Sequence, residues 1–261
     1  MGQTNSTASD NENTSALSPA AGDFAARVLS ATPQALETLL QDPHLEESHL
    51  CLLLERKDLS TAILERIAGN KDWLRSRRIR CGLVAHPHAP RRVALRLARE
   101  LYLMDLVAIS LRPSAPVEVR RFAEEVIVSR MRQLPLGQKL TLARRGSGRV
   151  AGALLGEGHE RVSRGVLDNG RLTEAQVLRA LSAETLNANT LERIARHLKW
   201  SRLPSVRAAL ARHPQASAEV VLPLLPDLLR RDLEDLCRVT RLAPQMRAAI
   251  RRELKARANQ E

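Results

Sequence analysis

The strongest constraint on the fold is a segment that occurs twice in the chain. The stretch beginning at Ile63 reads ILERIAGNKDWLRSRRIRCGLVAHP, and the stretch beginning at Thr190, 127 residues later, reads TLERIARHLKWSRLPSVRAALARHP. Both carry LERIA, a Trp after four more residues, and a His-Pro pair thirteen residues beyond that Trp. The match extends in both directions without an insertion, so we predict an internal duplication with a 127-residue offset.

The matched positions include helix starts. Thr173 and Gln176 have the spacing of a capping box, in which each side chain bonds the other residue's backbone N–H. The first copy has Glu46 and His49 there, and we expect a weaker cap. Ser60 and Asn187 are good N-caps for the next helix in each copy. The repeated features therefore concern helix initiation and packing rather than reactivity.

The composition favours helices packed on helices. Aliphatic residues are plentiful, whereas the chain has only two Phe, two Trp and one Tyr. The apolar residues form one-sided helical stripes of about 10–15 residues, too short to be stable unless neighbours stack on them. We predict an all-α fold, a right-handed α-solenoid. Residues 1–22 are predicted to be a disordered polar tail, 23–135 the first helical half, and 136–261 the second, continuous with it.

Two further stretches resemble known families. AHPHAPRRVALRLA and ARHPQASAEVVLPLL resemble the helical repeats of the HEAT and leucine-rich-repeat-variant class. The segment from LARRGSGRV to EAQVLRAL is similar to bacterial proteins of the DUF2336 type, whose function is uncharacterised. The resemblance implies a curved helical-repeat scaffold for macromolecular recognition, and it transfers no catalytic residue.

Composition also bears on the cellular location of the protein and on its cofactors. No apolar run reaches the about 20 residues that a membrane span needs, and no signal-peptide core opens the chain. We expect a cytoplasmic protein without a membrane span. Cys51, Cys81 and Cys237 lie far apart, which favours reduced core cysteines and predicts neither a disulfide framework nor a metal site. No cofactor is expected.

The candidate chemical motifs are weak. His86-Pro87-His88 resembles a metal-binding pair, but the second copy has Gln215 in place of the second His, which favours a turn. Asp105 and Asp232 occur at equivalent positions, where a general base is possible and an N-cap is favoured. The segment RRGSGR, residues 144–149, offers backbone N–H groups to a phosphate, although an inter-helix turn is the preferred interpretation. We predict that the protein is not an enzyme.

Trp73 and Trp200 are the only tryptophans, and they stand at equivalent positions. They are candidates for stacking on a base or anchoring a partner. Their occurrence in both copies favours packing between repeats. A DNA-repair glycosylase of solenoid shape would instead pair Asp105 with Trp73, or Asp232 with Trp200, on one face.

The basic charge suggests an acidic partner. The formal net charge is +12, and because only five residues are Lys, nearly all the basic charge is Arg. Genomic bias toward Arg explains this composition equally well. If the charge is selected, a basic stripe along stacked repeats suits an acidic protein surface or a nucleic-acid backbone. The leading hypothesis is a protein-binding scaffold, and the alternative is a nucleic-acid-binding solenoid. The predicted stripe consists of Arg75, Arg77, Arg78, Arg91, Arg92, Arg120, Arg121, Arg144 and Arg145.

Overall fold

The computed structural model describes residues 19–184, 186–238 and 244–259, and these are helical with no strand among them. The predicted all-α class is therefore confirmed. Most of the predicted 1–22 tail, residues 1–18, lies outside the described residues. The first helix begins at Pro19, inside the stretch assigned to that tail.

The described residues form short α-helices with a few 3-10 turns between them. The helices are α1 (Pro19–Ser30), α2 (Pro33–Leu39), α3 (Glu47–Leu53), α4 (Thr61–Gly69), α5 (Arg77–Ala85), α6 (Arg91–Ala98), α7 (Leu103–Leu111), α8 (Val117–Arg130), α9 (Leu136–Arg145), α10 (Gly148–Leu155), α11 (Glu160–Leu167), α12 (Glu174–Leu181), α13 (Ala188–Arg196), α14 (Pro204–Arg212), α15 (Ala218–Val221), α16 (Arg230–Arg238) and α17 (Pro244–Ala258). The 3-10 turns are Trp73–Arg75, Met131–Gln133 and Leu222–Asp227.

The chain divides into two compact units, Met1–Val93 and Ala94–Glu261, with the division inside α6. In the second unit α7 packs on α8, and from α8 onward each helix packs on its second neighbour along the chain. One row of contacts joins α8, α10, α12, α14 and α16, and the other joins α9, α11, α13, α15 and α17. We call these the even row and the odd row. In the first unit α1, α3 and α5 contact one another in the same alternating order. The predicted boundary at 135/136 falls within the second unit.

The helix starts follow the sequence closely. Ser60 accepts from the N–H of Ile63, and Asn187 accepts from that of Thr190, so both predicted N-caps are confirmed. The Thr173 capping box is present. The weaker cap expected in the first copy is wrong, because a full capping box forms there as well. Glu46 accepts from the N–H of His49, and His49 Nδ1 accepts from the Glu46 N–H at 3.2 Å.

The predicted N-cap role of the two equivalent aspartates is also wrong. Asp105 and Asp232 lie one turn further on, inside the first turns of α7 and α16. A carboxylate there still interacts favourably with the positive end of the helix dipole. Asp232 accepts a 2.7 Å hydrogen bond from Arg212, and this ion pair joins α14 to α16.

Several hydrogen bonds recur at a spacing of 127 residues. His86 Nε2 lies 2.7 Å from the carbonyl of Arg56, and His213 Nε2 lies 3.2 Å from that of Ala183. In each case Nδ1 accepts a 3.1 Å bond from the backbone N–H two residues on. Because Nδ1 accepts, Nε2 carries the proton and donates. Both nitrogens of these buried histidines are thus used in closing a turn, and neither is free to bind a metal.

An arginine contact recurs in the same way. Arg130 donates a 3.0 Å hydrogen bond to the carbonyl of Leu101, and Arg257 donates a 2.7 Å hydrogen bond to the carbonyl of Leu228. Both the donor and the acceptor of the second bond lie 127 residues after those of the first. A second bond of Arg130 reaches the carbonyl of Arg99, and a 2.6 Å bond of Arg257 reaches that of Pro226. Each arginine therefore satisfies the carbonyls of a turn that lies about one pair of helices earlier.

Candidate functional site

The outer face of α13 is the centre of the candidate site. Thr190, Leu191 and Ile194 are buried, and the hydroxyl oxygens of Thr190 and Ser163 lie 3.3 Å apart, which ties α13 to α11. The opposite face carries Asn189 and Arg196, which are exposed. This face borders a groove on each side, one toward α11 and one toward α15.

The groove between α11 and α13 has a volume of about 460 Å³. We call it the first groove. Its charged lining is balanced, because three arginines are matched by three carboxylates. The arginines are Arg164, Arg193 and Arg196, and the carboxylates are Glu160, Asp168 and Glu192. His197, Leu167 and Asn189 complete the lining.

Most of the charges in the first groove are held in pairs. Arg193 binds Glu160 across the two helices, and Arg196 binds Glu192 at 2.6 Å on α13 itself. Arg164 is exposed, and among the described residues it forms no ion pair and no side-chain hydrogen bond. An incoming carboxylate would therefore find a cation at Arg164 that no carboxylate of the described residues already occupies.

The floor of the first groove is supported by Trp200. Its ring is only 1% exposed, and Nε1 donates a 3.0 Å bond to the carbonyl of Leu167, the last residue of α11. His197 accepts from the N–H of Lys199 at Nδ1, which leaves Nε2 to donate to Asp168 at 3.3 Å. Trp200 thus packs between elements, as predicted, and its buried ring cannot stack on a nucleobase. Trp73 differs, since it lies half-buried in a 3-10 turn of the first unit.

The second groove lies on the other flank of α13 and has a volume of about 340 Å³. Its apolar lining comes from α13 and from the segment that follows Ser217. The apolar residues are Ala188, Ala195, Val220, Pro223 and Leu224. Asn189, Glu192 and Arg196 border both grooves. Ser217 and Glu219 complete the lining of the second groove, so half of its ten lining residues are apolar. The two grooves are therefore separated by a single helix, and the second is the more apolar of the two.

The nine predicted stripe arginines are divided between the two units. Arg75, Arg77, Arg78, Arg91 and Arg92 lie in the first unit, where all five are exposed. Arg75 is paired with Asp72 at 3.5 Å, both side chains being mostly exposed, so this pair contributes little to stability.

The other four stripe arginines lie on different rows of the second unit. Arg120 and Arg121 belong to α8 in the even row, whereas Arg144 and Arg145 end α9 in the odd row. Arg120 is half-buried, and its Nε is buried without an acceptor among the described residues. These four therefore do not follow one row of stacked helices.

Within the even row, basic charge is partly neutralised. Arg149 of α10 lies 3.9 Å from Glu124 and 3.4 Å from Glu125 of α8. In the odd row, by contrast, Arg144 and Arg145 are exposed and form no ion pair with any described residue. The stem of Arg144 reaches α11, since a Cβ placed on Gly165 would lie 3.7 Å from its Cγ.

Sequence reasoning missed the arginines of α11 and α13. Arg161 and Arg164 continue the odd row from Arg144, and both are exposed without an ion pair in the part of the chain that the structure describes. The sequence does contain a pattern that indicates these arginines, because α11 contains ERVSR and α13 contains ERIAR. With the same Glu-Arg-x-x-Arg spacing on two stacked helices, α11 contributes Arg164 to the shared groove and α13 contributes both Arg193 and Arg196.

The segment RRGSGR forms the predicted inter-helix turn. α9 ends at Arg145 and α10 begins at Gly148, with Ser147 as the N-cap. Buried Asn169 closes the turn by donating to the carbonyls of Ala143 at 2.8 Å and of Gly146 at 3.2 Å. The bonds to Asn169 explain why this short glycine-containing connection holds a fixed shape.

Reactive groups are not gathered into a site in the described residues. No cluster of three or more His, Cys, Asp or Glu side chains there is placed to hold a metal ion. The three cysteines are not joined in disulfides and are half-buried, less buried than the core positions expected of them. Burial raises the pKa of the Cys51 thiol, because desolvation penalises the thiolate. Of the helices that the structure describes, none combines the length and apolarity needed to cross a membrane.

No protein-family model matches the chain, and neither a curated protein nor a solved structure matches it significantly.

Proposed function

We propose that the protein is a non-catalytic α-helical repeat scaffold, a right-handed α-solenoid of HEAT-like repeats built by internal duplication, that binds an acidic segment of another protein. The binding surface is the odd row of the second unit around α11 and α13. The observation that carries the proposal is a run of four exposed arginines beside a groove, none of which forms an ion pair with a described residue: Arg144, Arg145, Arg161 and Arg164.

The repeat architecture is supported by how contacts recur. Second-neighbour packing is the contact order expected when pairs of helices stack along an axis. The paired bonds of His86 and His213, and those of Arg130 and Arg257, are specific contacts that a 127-residue duplication would copy. Asp42 and Asn169 add a third pair, since each accepts from the backbone N–H two residues on.

The choice of an acidic partner follows from the charges that remain unpaired. Many carboxylates of the second unit are held by a basic side chain; examples are Glu124, Glu125, Glu157, Glu160, Asp168, Glu192, Asp227, Asp232, Asp235, Glu234 and Glu253. The exposed charge left for a partner is then mainly arginine. Arginine presents a planar fork of donors that matches a carboxylate, so an acidic protein segment is recognised well.

A protein partner is favoured over nucleic acid by the lining of the first groove. The first groove has no surplus of positive charge, because its three arginines are matched by three carboxylates, so a continuous run of phosphates gains little there. A single carboxylate of a peptide, by contrast, can bind Arg164. Stacking is also limited, because Trp200 is buried. Nucleic-acid binding therefore remains the alternative, carried by the net charge of +12.

A competition experiment separates the two. The full chain is titrated by fluorescence anisotropy with a labelled peptide that has Glu at every third position in a Ser/Ala background, and with labelled duplex and single-stranded DNA, at low and at physiological salt. We expect the peptide to remain bound at physiological salt, with DNA binding lost as counterion release weakens it. DNA binding that survives physiological salt and displaces the peptide would contradict the proposal in favour of the alternative.

A further inference from the structure

We propose that the two grooves beside α13 read two side chains of one extended peptide, an acidic residue in the first groove and an apolar residue three positions away in the second. This inference rests on the proposed function and specifies the partner of that same surface. It assigns a recognition pattern, acidic-x-x-apolar in either direction, to the partner segment.

The acidic position is set by Arg164. This side chain is the groove cation without an ion pair among the described residues, whereas Arg193 and Arg196 are already bound to carboxylates. Glu160 and Glu192 are neutralised in those pairs, and the remaining carboxylate, Asp168, opposes a second negative charge nearby. The first groove therefore suits one acidic side chain rather than an acidic run.

The apolar position is set by the second groove. The second groove has a volume of about 340 Å³, and its apolar side is formed by Ala188 and Ala195 of α13 with Val220, Pro223 and Leu224. The polar residues of its lining, Glu219 among them, leave this apolar side as the place for an apolar side chain. The volume is at the lower end of the range of ligand pockets and suits one aliphatic or aromatic side chain. Pro223 is exposed and Val220 is half-buried, so the incoming side chain would cover apolar surface that otherwise meets water.

The spacing between the two positions follows from helix packing. α11, α13 and α15 are successive members of the odd row, and packed helices lie about 8–10 Å apart, so the two grooves repeat at that distance. A peptide in the polyproline II conformation advances about 3.1 Å per residue and turns once every three residues, so side chains three positions apart lie about 9 Å apart on the same side of the peptide. Exposed Asn189, which borders both grooves, can bond the peptide backbone as it crosses.

Selection from a random peptide display library tests the pattern. The full chain, its Ala188→Glu variant and its Ala175→Glu variant are each used as bait at physiological salt. Both alanines are exposed residues in the first turn of a helix, where Glu is tolerated, but only Ala188 borders a groove. Peptides selected on the wild-type chain should be enriched in an acidic and an apolar residue three positions apart.

The variants test the recognition pattern separately from the proposed function. Peptides selected on Ala188→Glu should keep the acidic residue and lose the apolar one. The best peptide from the wild-type selection should bind this variant about tenfold more weakly. The Ala175→Glu control should select and bind peptides as the wild-type chain does. The inference would be overturned if the selected peptides were acidic but lacked an apolar residue three positions away. It would also be overturned if Ala188→Glu selected the same apolar residue as the wild-type chain. Either result would leave the proposed function standing. A selection that yields no acidic peptides would refute both.

Discussion

Replacing Trp200 should destabilise the second unit far more than replacing Trp73 destabilises the first. The two residues are 127 positions apart in the repeated segment, yet Trp200 is 1% exposed and Trp73 is half-buried. The pair therefore offers a matched comparison in which residue type and local sequence are similar and burial differs.

The loss of stability expected on replacing Trp200 has two parts, lost packing and a lost hydrogen bond. Truncation of a buried Trp to Ala removes its packing and leaves a cavity, at a cost of roughly 3–5 kcal/mol. Nε1 also satisfies the carbonyl of Leu167, which as the last residue of α11 has no partner within its own helix. Trp200→Phe keeps most of the ring volume and leaves that carbonyl unpaired, so it should cost roughly 1–2 kcal/mol. Trp73→Ala should cost less than Trp200→Ala, since a half-buried side chain gains less from burial.

Urea unfolding followed by far-UV circular dichroism measures these differences. The Trp73→Phe chain retains Trp200 as its single tryptophan, and its emission should be shifted to the blue until the second unit unfolds. An effect of Trp73→Ala equal to or greater than that of Trp200→Ala would refute the packing role assigned to Trp200. Unchanged stability in Trp200→Phe would refute the importance of its bond to Leu167.

Two further predictions concern an ion pair and a close contact. The hydrogen bond from Arg56 lowers the pKa of Asp58 to about 2 in the folded chain, below the ordinary value of 3.8, so the unfolded chain takes up the proton first as pH falls. The stabilisation by this pair is present above about pH 3.8 and is lost as pH falls toward 2. Asp58→Asn should lessen the acid sensitivity of hydrogen exchange in the first unit, and an unchanged pH profile would contradict this. Separately, a Cβ on Gly148 would lie 2.3 Å from the carbonyl oxygen of Arg171, so Gly148→Ala should lower the free energy of unfolding by roughly 1–3 kcal/mol. Gly170→Ala meets no atom within 4 Å and is the control in thermal unfolding; equal shifts in the two variants would contradict the clash.

Helix type and helix starts were predictable because they depend on local chemistry. Ser60, Asn187 and Thr173 cap the helices assigned to them, since a short polar side chain before an apolar stripe bonds the same free N–H groups in any context. Two predictions about helix starts were wrong, because more than one side chain near a helix start can bond its free N–H groups. At Glu46 and His49, two longer side chains complete a capping box, and the aspartates assigned as caps stand one turn inside their helices.

The site was harder to predict because it depends on which charges pair across helices. The sequence indicates clustered arginines, but it does not reveal that Arg149 lies against Glu124 and Glu125 or that Arg193 binds Glu160. Those contacts join residues more than twenty positions apart. Clustering along the sequence therefore pointed to nine arginines. The odd-row set that is exposed without an ion pair among the described residues keeps Arg144 and Arg145 from those nine and adds Arg161 and Arg164.

The most direct test of the account compares two charge reversals in the full chain. Arg164→Glu and Arg231→Glu each lower the net charge by two, and both arginines are exposed without an ion pair among the described residues, but only Arg164 lines the first groove. The labelled acidic peptide is titrated at physiological salt, with circular dichroism to verify folding. The account predicts that Arg164→Glu weakens binding about tenfold or more and that Arg231→Glu has little effect. Equal weakening by the two variants would mean that only the overall charge attracts the peptide, and it would contradict a binding site on α11 and α13.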